Sequence, residues 1–120
     1  MAETGAKFIS DLRTKVAAAN NEGVRLIQEK KLHEGQVVLE KAAEDMPFNA
    51  TININAARVL LMIMEKQGRR DDLLGRAKTY LDRVPEAQRI NNDKFQRLLG
   101  LWTKLSGQAA PLLDTATPRP

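Results

Sequence analysis

At 120 residues with 42% apolar side chains, the chain is about one domain long and too hydrophobic for global disorder. Its formal charge is a modest +4 and it has no cysteine, which removes disulfides, thiolate metal sites and a cysteine nucleophile. Aromatics are few, three Phe, one Tyr and one Trp, so the core must be built from Leu, Ile, Val, Ala and Met, a composition that favours packed helices. Met1–Asp11 holds no run resembling a secretory signal, and the longest apolar stretch, Val59–Met64, is too short to span a bilayer. A cytoplasmic protein with no membrane insertion is expected.

The first helix is marked by Phe8, Leu12, Val16, Ala19, Gly23, Leu26 and Ile27 at steps of three and four. It ends near Lys30 or Lys31, and its start falls at Ala6 or at the capping Ser10. The second runs from Leu32 to Asp45 and is stopped by Pro47-Phe48-Asn49, because proline lacks an N–H and restricts the residue before it. Asn49 is the expected N-cap of the third helix, Ala50–Gln67. That helix is apolar almost all round, from Ile52 to Met64, which predicts a central element buried on several sides. Gly68 ends it. Asp71 or Asp72 caps a fourth helix reaching Val84, and Pro85 closes that unit. A fifth helix over 86–106 carries Ile90, Phe95, Leu98, Leu99, Trp102 and Leu105 inward, with the aromatic residues packing it onto Leu74 and Leu81. A flexible tail, 107–120, follows. The fold class is all-α: five helices in antiparallel hairpins, stacked as a short solenoid.

Asn20-Asn21-Glu22-Gly23-Val24-Arg25-Leu26 is echoed by Ile54-Asn55-Ala56-Ala57-Arg58-Val59-Leu60, and each unit closes on a proline, Pro47 or Pro85. A period of roughly 34 residues is that of helical hairpin repeats. The slots Ala19, Glu22-Gly23, Leu26, Gly35, Leu39, Ala42 and Pro47 follow one unit. Asn53, Ala56-Ala57 and Leu60 open the second; Leu73, Ala77, Tyr80 and Pro85 continue it after an insertion of about one turn before Gly68. On these residues the chain resembles the tetratricopeptide repeat family, over units 17–47 and 50–85 within a domain 6–106. It departs at the first aromatic slot, filled by Ala19 and Asn53, and at Tyr80, where a small residue is usual. The string Asn20–Leu26, with Asn55-Ala56-Ala57 and Tyr80-Leu81, is also similar to repeat domains that follow receiver domains in some bacterial response regulators.

The resemblance implies a groove lined by the first helix of each hairpin. Its lining here would be Asn21, Val24 and Gln28, then Ile54, Asn55, Arg58, Leu61 and Met62. Asn21 and Asn55 occupy equivalent slots 34 residues apart; an amide that donates and accepts at once suits the backbone of an extended peptide. The family's carboxylate clamp is not matched, since Asn20 and Val24 stand at two of its slots. Val24, Ile27, Ile54, Leu61 and Met62 suit a more apolar ligand or a helix.

Catalysis is not expected. His33 is the single histidine and stands at the turn into the second helix, Glu40 and Glu44 have the look of a solvated helix face, and no phosphate-binding glycine loop is present. No cofactor or metal is expected. The function is therefore read as a non-enzymatic module that binds a protein or peptide partner. Second stands an oligomerisation or output domain of a larger signalling regulator, a homodimer through the long first helix or through Phe95, Leu98 and Trp102. Nucleic-acid binding is third, because the basic second half has acids interleaved at Asp71, Asp72, Asp82, Glu86 and Asp93.

Overall fold

A computed structural model describes residues 2–107, with side chains from Asp11 onward. The Phe8 side chain and the tail beyond Gly107 lie outside the described residues. Five α-helices and no strand are present among the described residues: α1 Ala2–Gln28, α2 Leu32–Asp45, α3 Ala50–Gln67, α4 Asp71–Asp82 and α5 Asp93–Ser106. Their ends follow local chemistry. Lys30 takes a left-handed backbone (φ 66°) beyond α1, while the Lys31 and Lys30 amides donate to Leu26 O and Ile27 O at 2.9 and 3.0 Å. This pair of hydrogen bonds closes α1 at Gln28, two or three residues sooner than its periodicity predicts. The Asn49 side chain accepts from Ile52 N at 3.0 Å and caps α3 as expected, and Gly68, at φ 99°, ends it.

Two boundaries differ from expectation. Asp71 and Asp72 do not cap α4; the N-cap residue is Arg70, without a side-chain bond. The two carboxylates stand instead in the first turn, where they face the positive end of the helix dipole and pair with Arg69 and Arg70. The fifth helix begins at Asp93, not at Glu86. Glu86–Gln88 form one 3₁₀ turn, and the Arg89 guanidinium donates to Val84 O at 2.7 Å and to Asp82 O at 3.0 Å. Those bonds hold the corner, and Asn92 caps α5 by accepting from Phe95 N at 2.9 Å. Ile90 is left outside the helix and 73% exposed, against the inward place its spacing predicts.

Helix α3 touches all four others, whereas α1 meets only α2 and α3 in quantity, and α5 meets α3 and α4. The result is two layers, α1, α3 and α5 in one and α2 and α4 in the other, with short turns making neighbours antiparallel. Leu60, Leu61, Val59, Ala56 and Ala57 of α3 are fully buried, so its near-continuous apolar surface is consumed by neighbours on several sides. Asn53 is fully buried too; its amide donates to Pro47 O and Asn49 O at 2.9 and 3.0 Å, tying α3 to the turn that precedes it. Gly23 lets α1 and α2 close up, for a Cβ there would fall inside the Leu39 side chain. Phe95 and Leu98 are buried, and Trp102 Nε1 donates to Leu74 O at 2.9 Å. The aromatic side chains of α5 thus pack this helix onto α4, and little of them remains for a dimer contact.

One polar cluster joins the outer layer. Tyr80 Oη donates to Glu40 Oε1 at 2.8 Å, Arg76 donates to both Glu40 oxygens at 2.9 Å, and Gln36 donates to Oε2 at 3.0 Å. Glu40, read from the sequence as solvated, is therefore the hub between α2 and α4. Burial, then the bond to Glu40 and its charge, push the Tyr80 phenol well above its ordinary range. Because the folded value is raised, the neutral phenol's contribution is complete below the unfolded value near pH ~10 and is lost as pH climbs through the folded value. Tyr80 is the single tyrosine, so absorbance at the phenolate band reads it alone. Ionisation is expected only at pH well above 10, together with loss of helical circular dichroism. A simple titration near 10 with the helices intact would contradict the Tyr80–Glu40 bond.

Candidate functional site

The face expected to bind is the outer surface of the α1, α3 and α5 layer. The structure divides its eight expected residues. Asn21 and Gln28 are exposed, and Val24, Arg58 and Met62 are partly exposed. Ile54 and Leu61 are in the core, 4% and 0% exposed; neither has surface to offer a ligand. The physical reason is the central place of α3, whose sides are covered by α1, α2, α4 and α5, so only a narrow strip at Thr51, Arg58 and Met62 reaches solvent.

Asn21 and Asn55 are not equivalent in space. Asn55 is 3% exposed and its Nδ2 donates to Asn20 Oδ1 at 3.0 Å, across from α3 to α1. Asn21 points away from that bond and is exposed. The difference follows from position in the stack: α1 is an edge helix with no hairpin before it, whereas α3 is flanked on both sides. Beside Asn55 a depression of about 130 Å³ is lined by Thr51, Ile54, Asn55, Asn92 and Lys94. It lies where the starts of α3 and α5 meet. Lys94 was not foreseen, because the sequence places residue 94 inside a longer fifth helix rather than at a helix start beside Asn55.

On the α2 and α4 layer several ions are paired: Lys41 with Asp45 at 3.2 Å, Arg76 with Glu40 at 2.9 Å, Lys78 with Asp82 at 2.7 Å. Arg25, on the far side of α1, is held by Glu22 and Glu29, which keep both carboxylates below their usual range through hydrogen bonds to the guanidinium. On the α1/α3/α5 face, Arg58 and Lys94 make no hydrogen bond or ion pair among the described residues. Arg97, one turn after Lys94, is likewise unpaired. Unpaired cations therefore stand on the layer that carries the Asn20–Asn55 pair, together with the unpaired acids Glu65 and Asp93.

A larger cleft, about 590 Å³, opens between α4 and the start of α5 over Leu81, Phe95, Leu99 and Ile90. Its rim is occupied by its own bonds, Lys78 with Asp82 and Arg89 with backbone carbonyls. Among its charged lining residues Glu86 alone is unpaired, so few polar groups remain to orient a ligand. His33 is exposed at the start of α2, its Nε2 2.9 Å from Gln67 Nε2. No group of three or more His, Asp or Glu residues is placed to hold a metal ion among the described residues, and no helix there is long and apolar enough to cross a membrane.

Comparison with known proteins gives no match, whether to family models, to curated proteins or to solved structures.

Proposed function

We propose that this domain is a tetratricopeptide-type interaction module whose α1/α3/α5 face binds an extended peptide bearing acidic side chains. The observation that carries the reading is Arg58, a half-buried residue with no hydrogen bond or ion pair among the described residues, one helical turn after the Asn55 that bonds Asn20. A guanidinium partly withdrawn from water and unpaired is stabilised by an arriving carboxylate, which it can hold bidentately. Asn20 alongside is partly exposed, and while its Oδ1 accepts from the buried Asn55 its own amide N–H groups are left to donate to a peptide backbone. With Ile54 and Leu61 withdrawn into the core, the apolar or helical ligand favoured by the sequence gives way to a polar, acidic one. The proposed role is binding without catalysis, either alone or as the output half of a larger signalling regulator.

Arrayed ten-residue peptides should show enrichment of Asp and Glu among binders, and Arg58→Glu should weaken the best of them by about tenfold or more, as loss of a charge-assisted bidentate contact does. Its melting temperature should match the wild type, because Arg58 has no intramolecular partner to lose. Binders without acidic enrichment, or unchanged affinity in Arg58→Glu, would remove the proposal. DNA and RNA of random sequence serve as the control for simple charge attraction: binding as tight as that of the peptides, with a steep salt dependence, would favour nucleic acid instead.

A further inference from the structure

We infer that the cleft between α4 and α5 seats an amphipathic helix of a partner protein, its apolar face on the cleft floor and a Lys or Arg of its last turn at Glu86. The packing of the molecule points to this place. In the outer layer α2 rests on α1 and α3, and α4 rests on α3 and α5. Helix α5 meets only α3 and α4 in quantity among the described residues, so its flank away from α3 lacks an outer neighbour beyond α4. The cleft opens on that flank. Lys94 borders Thr51 and Asn55 of α3, whereas Gln96, about 200° further round the helix, lines the cleft with Leu81. Stacked helices whose outermost face stays apolar need a cover there.

The cleft is held open by its own corner. Leu81 and Phe95 form its buried floor, and Ile90 stands at its mouth, 73% exposed. Ile90 does not collapse into the hollow beside it, because the chain is fixed on both sides. Before it, the Arg89 guanidinium donates to Val84 O and Asp82 O and lies 5.4 Å from the Phe95 ring centroid. After it, Asn92 N and the Gln96 side-chain amide both donate to Arg89 O, at 3.2 and 2.9 Å. The result is a rigid apolar ridge next to an apolar hollow of about 590 Å³. At the far end Lys78, bonded to Asp82 and 5.9 Å from the Trp102 ring centroid, closes the cleft. From Phe95 to Trp102 the open length is about two helical turns.

These features select the occupant. An extended strand laid on Leu81 and Phe95 would bring unpaired backbone N–H and C=O groups to an apolar floor, whereas a helix satisfies its own. Apolar anchors at i, i+3 or i+4 and i+7 suit a groove of this length. The charges add a second condition. Among the charged lining side chains Lys78 and Asp82 pair, and the Arg89 N–H groups are spent on carbonyls. Only the Glu86 carboxylate makes no hydrogen bond or ion pair among the described residues. A helix seated like its neighbours runs antiparallel to α5, which brings its C-terminal turn to the corner. A Lys or Arg in that turn meets Glu86 and complements the negative end of its own helix. The cleft shares no lining residue with the depression beside Asn55, so it stands or falls apart from the peptide-binding proposal.

Selection on the full chain from a displayed library of helical peptides of about fourteen residues, randomised on one face, tests it. Expected binders carry apolar residues at i, i+3 or i+4 and i+7, and a Lys or Arg in the last turn. Ile90→Asp should weaken the best of them at least about tenfold, as loss of an interface anchor does. Glu86→Lys should weaken it about fivefold, and exchanging the peptide's basic residue for Glu should restore most of that loss. Ile90 is exposed and Glu86 unpaired, so both variants should keep the wild-type melting temperature. Binders without this pattern, or indifferent to both substitutions, would overturn the proposal. So would a wild-type chain that sediments at twice 13.4 kDa while Ile90→Asp is monomeric, because a second copy then holds the cleft. Amide shifts in 108–120 on Ile90→Asp would overturn it as well, by making that segment of the chain the occupant.

Discussion

Leu61→Ala is expected to destabilise the domain by about 3 kcal/mol, within the range of roughly 2–5 kcal/mol for truncating a fully enclosed leucine. Leu61 has no exposed surface and lies on α3, the one helix that touches every other. The lost methyl groups leave a void that several helices would have to close at once, and such a site relaxes poorly. Urea unfolding followed by circular dichroism measures the change. Arg58→Ala, one turn away on the same helix, should alter stability by less than about 0.5 kcal/mol. The contrast separates core from surface on one short stretch of α3. A Leu61→Ala change below about 1 kcal/mol would mean that this side chain faces solvent, as the sequence reading had it.

The second large effect concerns two glycines whose substitutions have opposite signs. Gly23→Ala should destabilise by about 1–2 kcal/mol: overpacking commonly costs about 1–3 kcal/mol, and the helix propensity gained on leaving glycine returns part of it. The new methyl group would overlap Leu39 at its Cγ, and Leu39 is fully buried without room to swing aside. The α1–α2 pair must then part. Gly75 of α4 has open space where its Cβ would sit, so Gly75→Ala should stabilise by about 0.5–1 kcal/mol through backbone entropy alone. Equal effects at the two positions would contradict the close approach of α1 and α2.

The sequence disclosed those parts of the fold that rest on local chemistry. Pro47 with Asn49 marks the α2–α3 turn, Gly68 ends α3, and a helix with apolar residues on every side proves to be the central one. It misled where distant partners decide. The start of α5 depends on Arg89 reaching back to Asp82 and Val84, and without those bonds Ile90 fits the helical spacing by coincidence. Glu40 looked solvated because the groups that claim it, Arg76 and Tyr80, lie on α4, outside any local window.

The candidate site shows the same division. Repeat spacing put Asn55 and Arg58 one turn apart on α3. It could not say which stripe of an all-apolar helix stays open, so Ile54 and Leu61 were drawn into the groove. Nor could it choose between Asn20 and Asn21: adjacent residues on a helix differ by about 100° in direction, and only the packing of α1 on α3 decides that Asn20 meets Asn55. The unpaired state of Arg58 and Lys94 is a property of the assembled surface, since acidic residues are abundant in the chain and only the packing decides which of them a cation reaches.

The most direct test of the binding surface is a titration of the ¹⁵N-labelled domain with a glutamate-rich ten-residue peptide, followed by amide chemical shifts. Saturable shifts centred on Thr51, Asn55, Arg58 and Lys94, with the side-chain amides of Asn20 and Asn55 moving together, are the predicted result. Shifts scattered over Lys41, Lys78 and Lys104, or gathered in the Ile90 cleft with the Arg58 strip unmoved, would contradict it.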